Sequence, residues 1–229
     1  MVQRSNDERI LNIATALEEL NDEVVYVGGS VAQYYSKDAA SHKLQTTFDV
    51  DCVIDISTYD EYNEFQERLY RKKFRNDHSE GAPVCRFVFN DEKVDVMPKV
   101  YIPLTGDSNS WYPDGIKHRI SHDIGKGRRI YIFPVSFYLA SKLEALHSRG
   151  GEDYRGAKDF EDIVYVLNSC SDLVKQIQSI DDEKVKLFLK TEFSALIERM
   201  NIREEIESSL TEDERTEYVL LQMEAIAKL

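Results

Sequence analysis

Two stretches decide the fold: Val24-Val25-Tyr26-Val27-Gly28-Gly29-Ser30 and Thr47-Phe48-Asp49-Val50-Asp51-Cys52-Val53-Ile54. The first is a short β-rich run that stops at two glycines and leads into Val31-Ala32-Gln33-Tyr34-Tyr35, read as a helix beginning at Ser30. Glycines let a backbone approach a phosphate closely, and a helix start offers unpaired N–H groups; an isolated Gly-Gly is equally a plain tight turn. The second stretch alternates. Val50, Cys52 and Ile54 take one face of a strand over Asp49 to Ile56, and Asp49, Asp51 and Val53 take the other. Two carboxylates on one face repel unless something neutralises them, and a divalent cation such as Mg²⁺, with Mn²⁺ as an alternative, is the usual solution. The apolar flanks suggest an interior strand rather than a solvated edge.

Working outward, Ile10, Leu11, Ile13, Ala14, Leu17 and Leu20 recur at helical spacing behind Ser5 or Asn6 as cap, and Thr58 caps a helix running to about Phe74. Cys85 to Phe89, the Asn90-Asp91 turn and Lys93 to Met97 read as a hairpin. Its second strand buries Asp95 within Val94-Asp95-Val96-Met97, and an acid there needs a partner. If that strand lies beside the Asp49 strand, three carboxylates converge in a geometry suited to two-metal phosphoryl transfer. Residues 36–46 read as a polar loop and 98–129 as irregular. A strand over Arg129 to Phe133 precedes Pro134, which opens a helix to about Ser148; further helices cover about Tyr154 to Asn168 and the acidic remainder to Leu229. The order gives an α+β or α/β first half and a helical second half.

Composition narrows the function. The formal charge is −13, which argues against non-specific grip on nucleic acid. Yet residues 115–158 carry nine Lys/Arg against four Asp/Glu, a +5 island in a remainder of −18, so a local anionic ligand or chance clustering are both open. The three cysteines, Cys52, Cys85 and Cys170, show neither a zinc spacing nor a disulfide framework, which fits a reducing cytoplasm. No secretory signal or membrane span is expected.

The order of motifs resembles the DNA polymerase beta-like nucleotidyltransferase superfamily: Val25-Tyr26-Val27-Gly28-Gly29-Ser30, then Thr47-Phe48-Asp49-Val50-Asp51, then Val94-Asp95-Val96. More narrowly it resembles the AbiEii-type nucleotidyltransferases, which include toxins of type IV toxin–antitoxin systems. That resemblance rests on Tyr131-Ile132-Phe133-Pro134 leading to Ser141-Lys142-Leu143-Glu144, and on Lys158-Asp159-Phe160-Glu161-Asp162. Gln45 and Thr46 stand where the pattern often has a basic residue, and 98–129 looks like an insertion. The resemblance implies a mixed sheet flanked by helices over 1–133 and a helical region over 134–229 contributing Lys142 and Asp159. It implies transfer of a nucleoside monophosphate from an NTP to an acceptor hydroxyl, with Asp49, Asp51 and Asp95 catalytic and metal-holding, and with Gly28, Gly29, Ser30, Lys142 and Asp159 at the nucleotide. On the helix over 154–168 Asp159 lies at the edge of the apolar stripe and Asp162 nearly opposite, so Asp159 is the expected partner of Lys142; a purely structural salt bridge is the plainer reading of that pair. The implied acceptor is an RNA, a tRNA end among the candidates, received by the basic residues Lys117 to Arg129. A small hydroxylated acceptor such as an aminoglycoside, or a catalytically silent binding module, are the alternatives. A cognate antitoxin belongs to the toxin reading.

Overall fold

The computed structural model describes residues 4–37, 47–103, 105, 108–211 and 215–229. The loop expected over 36–46 therefore lies largely outside the described residues. The chain divides into two compact units. The first takes the residues up to Val31 and the described residues from Thr47 to Pro134; the second takes Ala32–Lys37 and Val135–Leu229.

The first unit is built on a seven-stranded mixed sheet ordered β3-β4-β5-β2-β1-β7-β6. Its strands are β1 (Val24–Val27), β2 (Asp49–Ile54), β3 (Arg75–Asn76), β4 (Arg86–Phe89), β5 (Glu92–Pro98), β6 (Ile120–Asp123) and β7 (Arg129–Ile132). β2 runs parallel to β5 and β1 parallel to β7, while the other neighbours are antiparallel. The β4–β5 hairpin turns on Asn90 and Asp91, both at positive φ (46° and 67°), as a two-residue turn of this twist requires.

Helices α1 (Asn6–Leu17) and α2 (Tyr59–Arg71) each open on a capping box, Ser5 with Glu8 and Thr58 with Glu61. Both lie on the face that carries Glu92, Val94 and Val96. Arg9 of α1 bonds Glu92, and Tyr70 of α2 packs against Phe87, the register partner of Val94. Ile10, Ile13, Ala14 and Leu17 of α1 are buried there with Val50, Cys52 and Ile54 of β2. The opposite face carries Asp49, Asp51, Asp95 and Met97. α3 (Tyr112–Lys117) covers its far end, where the Tyr112 hydroxyl approaches the Met97 sulfur at 3.7 Å. Gly115 is needed in α3 because a Cβ there would stand 2.7 Å from the Phe133 ring.

The stretch read as irregular thus holds α3 and β6. α3 is a six-residue helix containing Pro113 and Gly115, too short for a periodic signal. β6 is an edge strand, Ile-Ser-His-Asp, with no buried face, so no alternation marks it. The helix expected from Ser30 is instead a seven-residue 3-10 helix, Gly29–Tyr35. Gly29, Ser30, Val31, Ala32 and Tyr35 are all buried, which leaves little of the polar face that a solvated α-helix would present.

The second unit is helical: α4 (Val135–Arg149), α5 (Lys158–Ser169), α6 (Leu173–Ser179), α7 (Glu183–Ile197), α8 (Ile202–Ser209) and α9 (Thr216–Ala227). α4 is its buried centre, with every residue from Val135 to Leu143 buried. α5 and α7 pack on it, and α9 packs on α7. No helix among the described residues is long and apolar enough to cross a membrane.

Candidate active site

Sheet register brings three acids from distant parts of the chain to one place. Asp51 pairs with Val27 on β1 and with Asp95 on β5, and Arg86 on β4 pairs with Asp95. One rung therefore reads Arg86–Asp95–Asp51–Val27 across four strands, with the three polar side chains on the same face. Asp49, two residues before Asp51, shares that face. The expected convergence of Asp49, Asp51 and Asp95 is what the parallel pairing of β2 and β5 produces.

Gly28 follows Val27 immediately. Its φ is +72°, and a Cβ added to it would fall 1.9 Å from the Asp51 carboxylate oxygen Oδ2. Only glycine satisfies both demands. The next two residues, Gly29 and Ser30, are buried. A phosphate cradle at this turn would rest on Gly28 and on a short 3-10 start rather than on the α-helix terminus expected from the sequence.

Sequence reading missed Arg86. Its Nε donates to Asp95 Oδ1 at 2.7 Å, and its Nη2 donates to Asp95 Oδ2 at 2.7 Å and to Asp49 Oδ2 at 2.6 Å. The hydrogen bond to Asp95 raises the guanidinium pKa; burial opposes this, and the charges of Asp95, Asp49 and Asp51 reinforce it. One guanidinium thus engages two of the carboxylates directly and lies within electrostatic reach of the third. Beneath them lies Cys52, wholly buried, its thiol held well above the ordinary range by burial and then by Asp51 and Asp95. It stays protonated and is no nucleophile.

Among the described residues no three acidic, imidazole or thiol groups stand in a ready metal-binding arrangement. The donor set nevertheless suits a hard cation: carboxylate oxygens of three side chains on one sheet face beside a glycine. In the present geometry Arg86 engages two of the three.

In the helical unit, Lys142 of α4 is buried and lies 3.0 Å from Asp159 Oδ1 and 2.6 Å from Asp162 Oδ2 of α5. Asp162 was expected to point away. An i,i+3 pair on a helix is adjacent, so a long lysine reaches both acids. Burial lowers the Lys142 pKa, but the charges of Asp162 and Asp159 outweigh it and hold the ammonium above its ordinary value. Asp159 also accepts from Arg149 at 2.7 and 3.1 Å; burial raises its pKa, yet Arg149 and Lys142 bring the net shift below the usual carboxylate value.

The basic island of the sequence disperses. Lys142 and Arg149 serve Asp159, Arg155 pairs with Asp153, and Lys117 and Arg119 line a cleft of about 560 Å³ with Asp55 and Lys99, where Arg119 stacks on Tyr131 at 4.6 Å. Lys126 and Arg128 line another cleft on the α1 side of the sheet.

No family model and no curated protein sequence matches the chain. Solved structures do. It is similar to an antigenic nucleotidyltransferase-like protein from Paracoccidioides brasiliensis, at 16% identity and a TM-score of 0.50, covering 89% of this chain and 93% of that one. It is also similar to the antibiotic-resistance factor ANT(2'')-Ia, at 14% identity and a TM-score of 0.50, covering 83% and 94%. With a mixed sheet flanked by helices and a helical C-terminal region, this chain has the nucleotidyltransferase fold.

Proposed function

We propose that this protein transfers a nucleoside monophosphate from an NTP to an acceptor hydroxyl with the help of Mg²⁺ or Mn²⁺. The observation that carries this reading is the rung Asp95–Asp51 with Asp49 beside it, three carboxylates on one sheet face against Gly28. Asp49, Asp51 and Asp95 are the residues that would hold the metal, and bound there it would supply the positive charge that steadies a triphosphate under attack. Asp95 would hold a second metal or take the acceptor proton; Arg86 now engages both of its oxygens, so either role needs that pair to loosen. Gly28, Gly29 and Ser30, at the end of β1, are the residues that would meet the phosphate chain. Arg86 places a fixed positive charge among the acids, where it favours the developing negative charge of the transferred phosphoryl group.

A role for Lys142 at the nucleotide, positioned by Asp159, rests on the resemblance to AbiEii-type enzymes; its own surroundings make it equally a structural ion pair. The same resemblance supports an RNA acceptor, a tRNA end included, and a toxin with a cognate antitoxin. The neighbour named as an antibiotic-resistance factor supports a small hydroxylated acceptor as the competing reading. Incubation with each α-labelled NTP and Mg²⁺, against total RNA in one arm and an aminoglycoside panel in the other, separates them. We expect label on RNA. Label on the small molecules alone moves the acceptor class, and no label in either arm with any NTP overturns the enzymatic reading.

A further inference from the structure

Behind the carboxylate face, on the α1 side of the sheet, lies a cleft of about 790 Å³. Its walls are α1, the end of α2, the β4–β5 turn and the β6–β7 turn. Six cations line it, Arg4, Arg71, Lys72, Lys73, Lys126 and Arg128, against the acids Glu18 and Glu92. Two of the six are used internally: Arg4 pairs with Glu92, and Lys72 pairs with Glu18 and Glu19. Arg71, Lys73, Lys126 and Arg128 have no acidic partner among the described residues. A protein of net charge −13 thus gathers four cations without an acidic partner among the described residues, from two segments far apart in the chain, around one hollow.

The backbone adds a second observation. Lys73 (φ 68°) and Lys126 (φ 53°) both occupy the left-handed region, where glycine or asparagine is the comfortable choice. Lys73 follows the C-cap residue of α2, Lys72, and Lys126 sits between Gly125 and Gly127. Two strained positions each carry a lysine, and both lysines line the same cleft.

A third observation joins the cleft to the acids. At its rim, Arg9 Nη1 lies 2.6 Å from Glu92 Oε2 and 3.4 Å from the Phe48 carbonyl oxygen. Phe48 directly precedes Asp49 and leaves its ring 67% exposed. The start of β2 is therefore the edge around which the basic hollow and the carboxylate face meet. A compact ligand occupies one side or the other. A flexible polyanion can lie along the cations, turn at Phe48 with a base against the ring, and present an end to Asp49.

We propose that this cleft binds the sugar–phosphate backbone of a single-stranded nucleic acid. The proposal deepens the acceptor reading above and rests on it for what happens at the strand's end, but the binding itself needs neither nucleotide nor metal.

The test is fluorescence anisotropy of a labelled single-stranded RNA 12-mer, and of the DNA of the same sequence, with the full chain and without NTP or Mg²⁺. Four phosphate contacts on a single strand predict about a 50-fold loss of affinity between about 50 and 200 mM salt. The variant Arg71→Gln/Lys73→Gln/Lys126→Gln/Arg128→Gln changes only partner-free cations, and an unchanged thermal midpoint verifies its fold. It should bind at least about ten-fold more weakly at low salt and lose most of the salt dependence. Lys117→Gln/Arg119→Gln, in the other cleft, should bind as the unaltered chain does. Equal binding of RNA and DNA assigns the shared backbone chemistry, and a preference for RNA assigns the ribose strand. Undiminished binding by the quadruple variant, or greater damage from the Lys117/Arg119 variant, overturns the proposal. Binding without label transfer in the earlier assay leaves the cleft standing and removes the enzyme.

Discussion

The molecule holds two clusters of partly buried charge, one in each unit, and they are built to different balances. In the helical unit, Lys142 and Arg149 meet Asp159 and Asp162, two cations for two acids. In the sheet unit, Arg86 meets Asp49 and Asp95, with Asp51 within its electrostatic reach. The first cluster is neutral by itself and ties one helix to another. The second gathers carboxylates from two strands on one sheet face around a bridging guanidinium, a crowding of like charges that a cation from outside would relieve. Convergence of like-charged oxygens, rather than the presence of ions as such, separates a site from a structural pair.

Four experiments press on that contrast. The largest effect is expected at Asp49: Asp49→Asn should lower nucleotidyl transfer by about 10³-fold, equivalent to about 4 kcal/mol at the transition state, with an unchanged thermal midpoint. Transfer at the original rate with labelled NTP would remove Asp49 from the chemistry. Next, Lys142→Met strips the neutral cluster of its inner cation while Arg149, 70% exposed, remains. Urea unfolding should show a loss of about 3 kcal/mol, unaffected by Mg²⁺.

Arg86→Met should cost less, about 2 kcal/mol, because the acids it leaves are nearer to water. Here Mg²⁺ should restore much of the thermal midpoint, since a metal bound only to the folded state stabilises it. An Arg86→Met chain indifferent to Mg²⁺ would mean that the three carboxylates do not seat the ion.

The smallest effect concerns pH. Asp159 titrates below its ordinary value in the folded chain, so its contribution to stability is present above about pH 4 and lost as pH falls through the lowered folded value. Lys142 is the mirror case: its raised pKa contributes below about pH 10 and is lost as pH climbs through the folded value. Stability measured from pH 5 down to 2 should fall less steeply in Asp159→Asn than in the unaltered chain; parallel curves would show that Asp159 is not a net contributor.

Much of the site was legible because it depends on short-range rules. The alternation of Asp49 and Asp51 with apolar neighbours set their common face. The two-residue turn at Asn90-Asp91 set the β4–β5 register, and counting back from it places Arg86 opposite Asp95, a signal present in the sequence and overlooked. Asp162 was misplaced because an apolar stripe locates a helix's buried face but not the reach of a lysine on its neighbour. β6 and α3 escaped because an exposed edge strand and a six-residue helix leave no periodicity to read.

By itself the sequence determined most of the local elements, the shared face of Asp49 and Asp51 and the total charge, since these follow from side-chain spacing of two or 3.6 residues and from composition. Tertiary structure alone decided which acids meet and where the cations gather. Asp51 faces Asp95 because β2 and β5 pair in parallel, a contact between strands more than forty residues apart. The basic island of the sequence was scattered over several surfaces, and two of its members, Lys126 and Arg128, joined Arg71 and Lys73 from a segment that the chain keeps far apart. Electrostatic partners are chosen by distance in space, and spacing along the chain carries that information only within one helix or one hairpin.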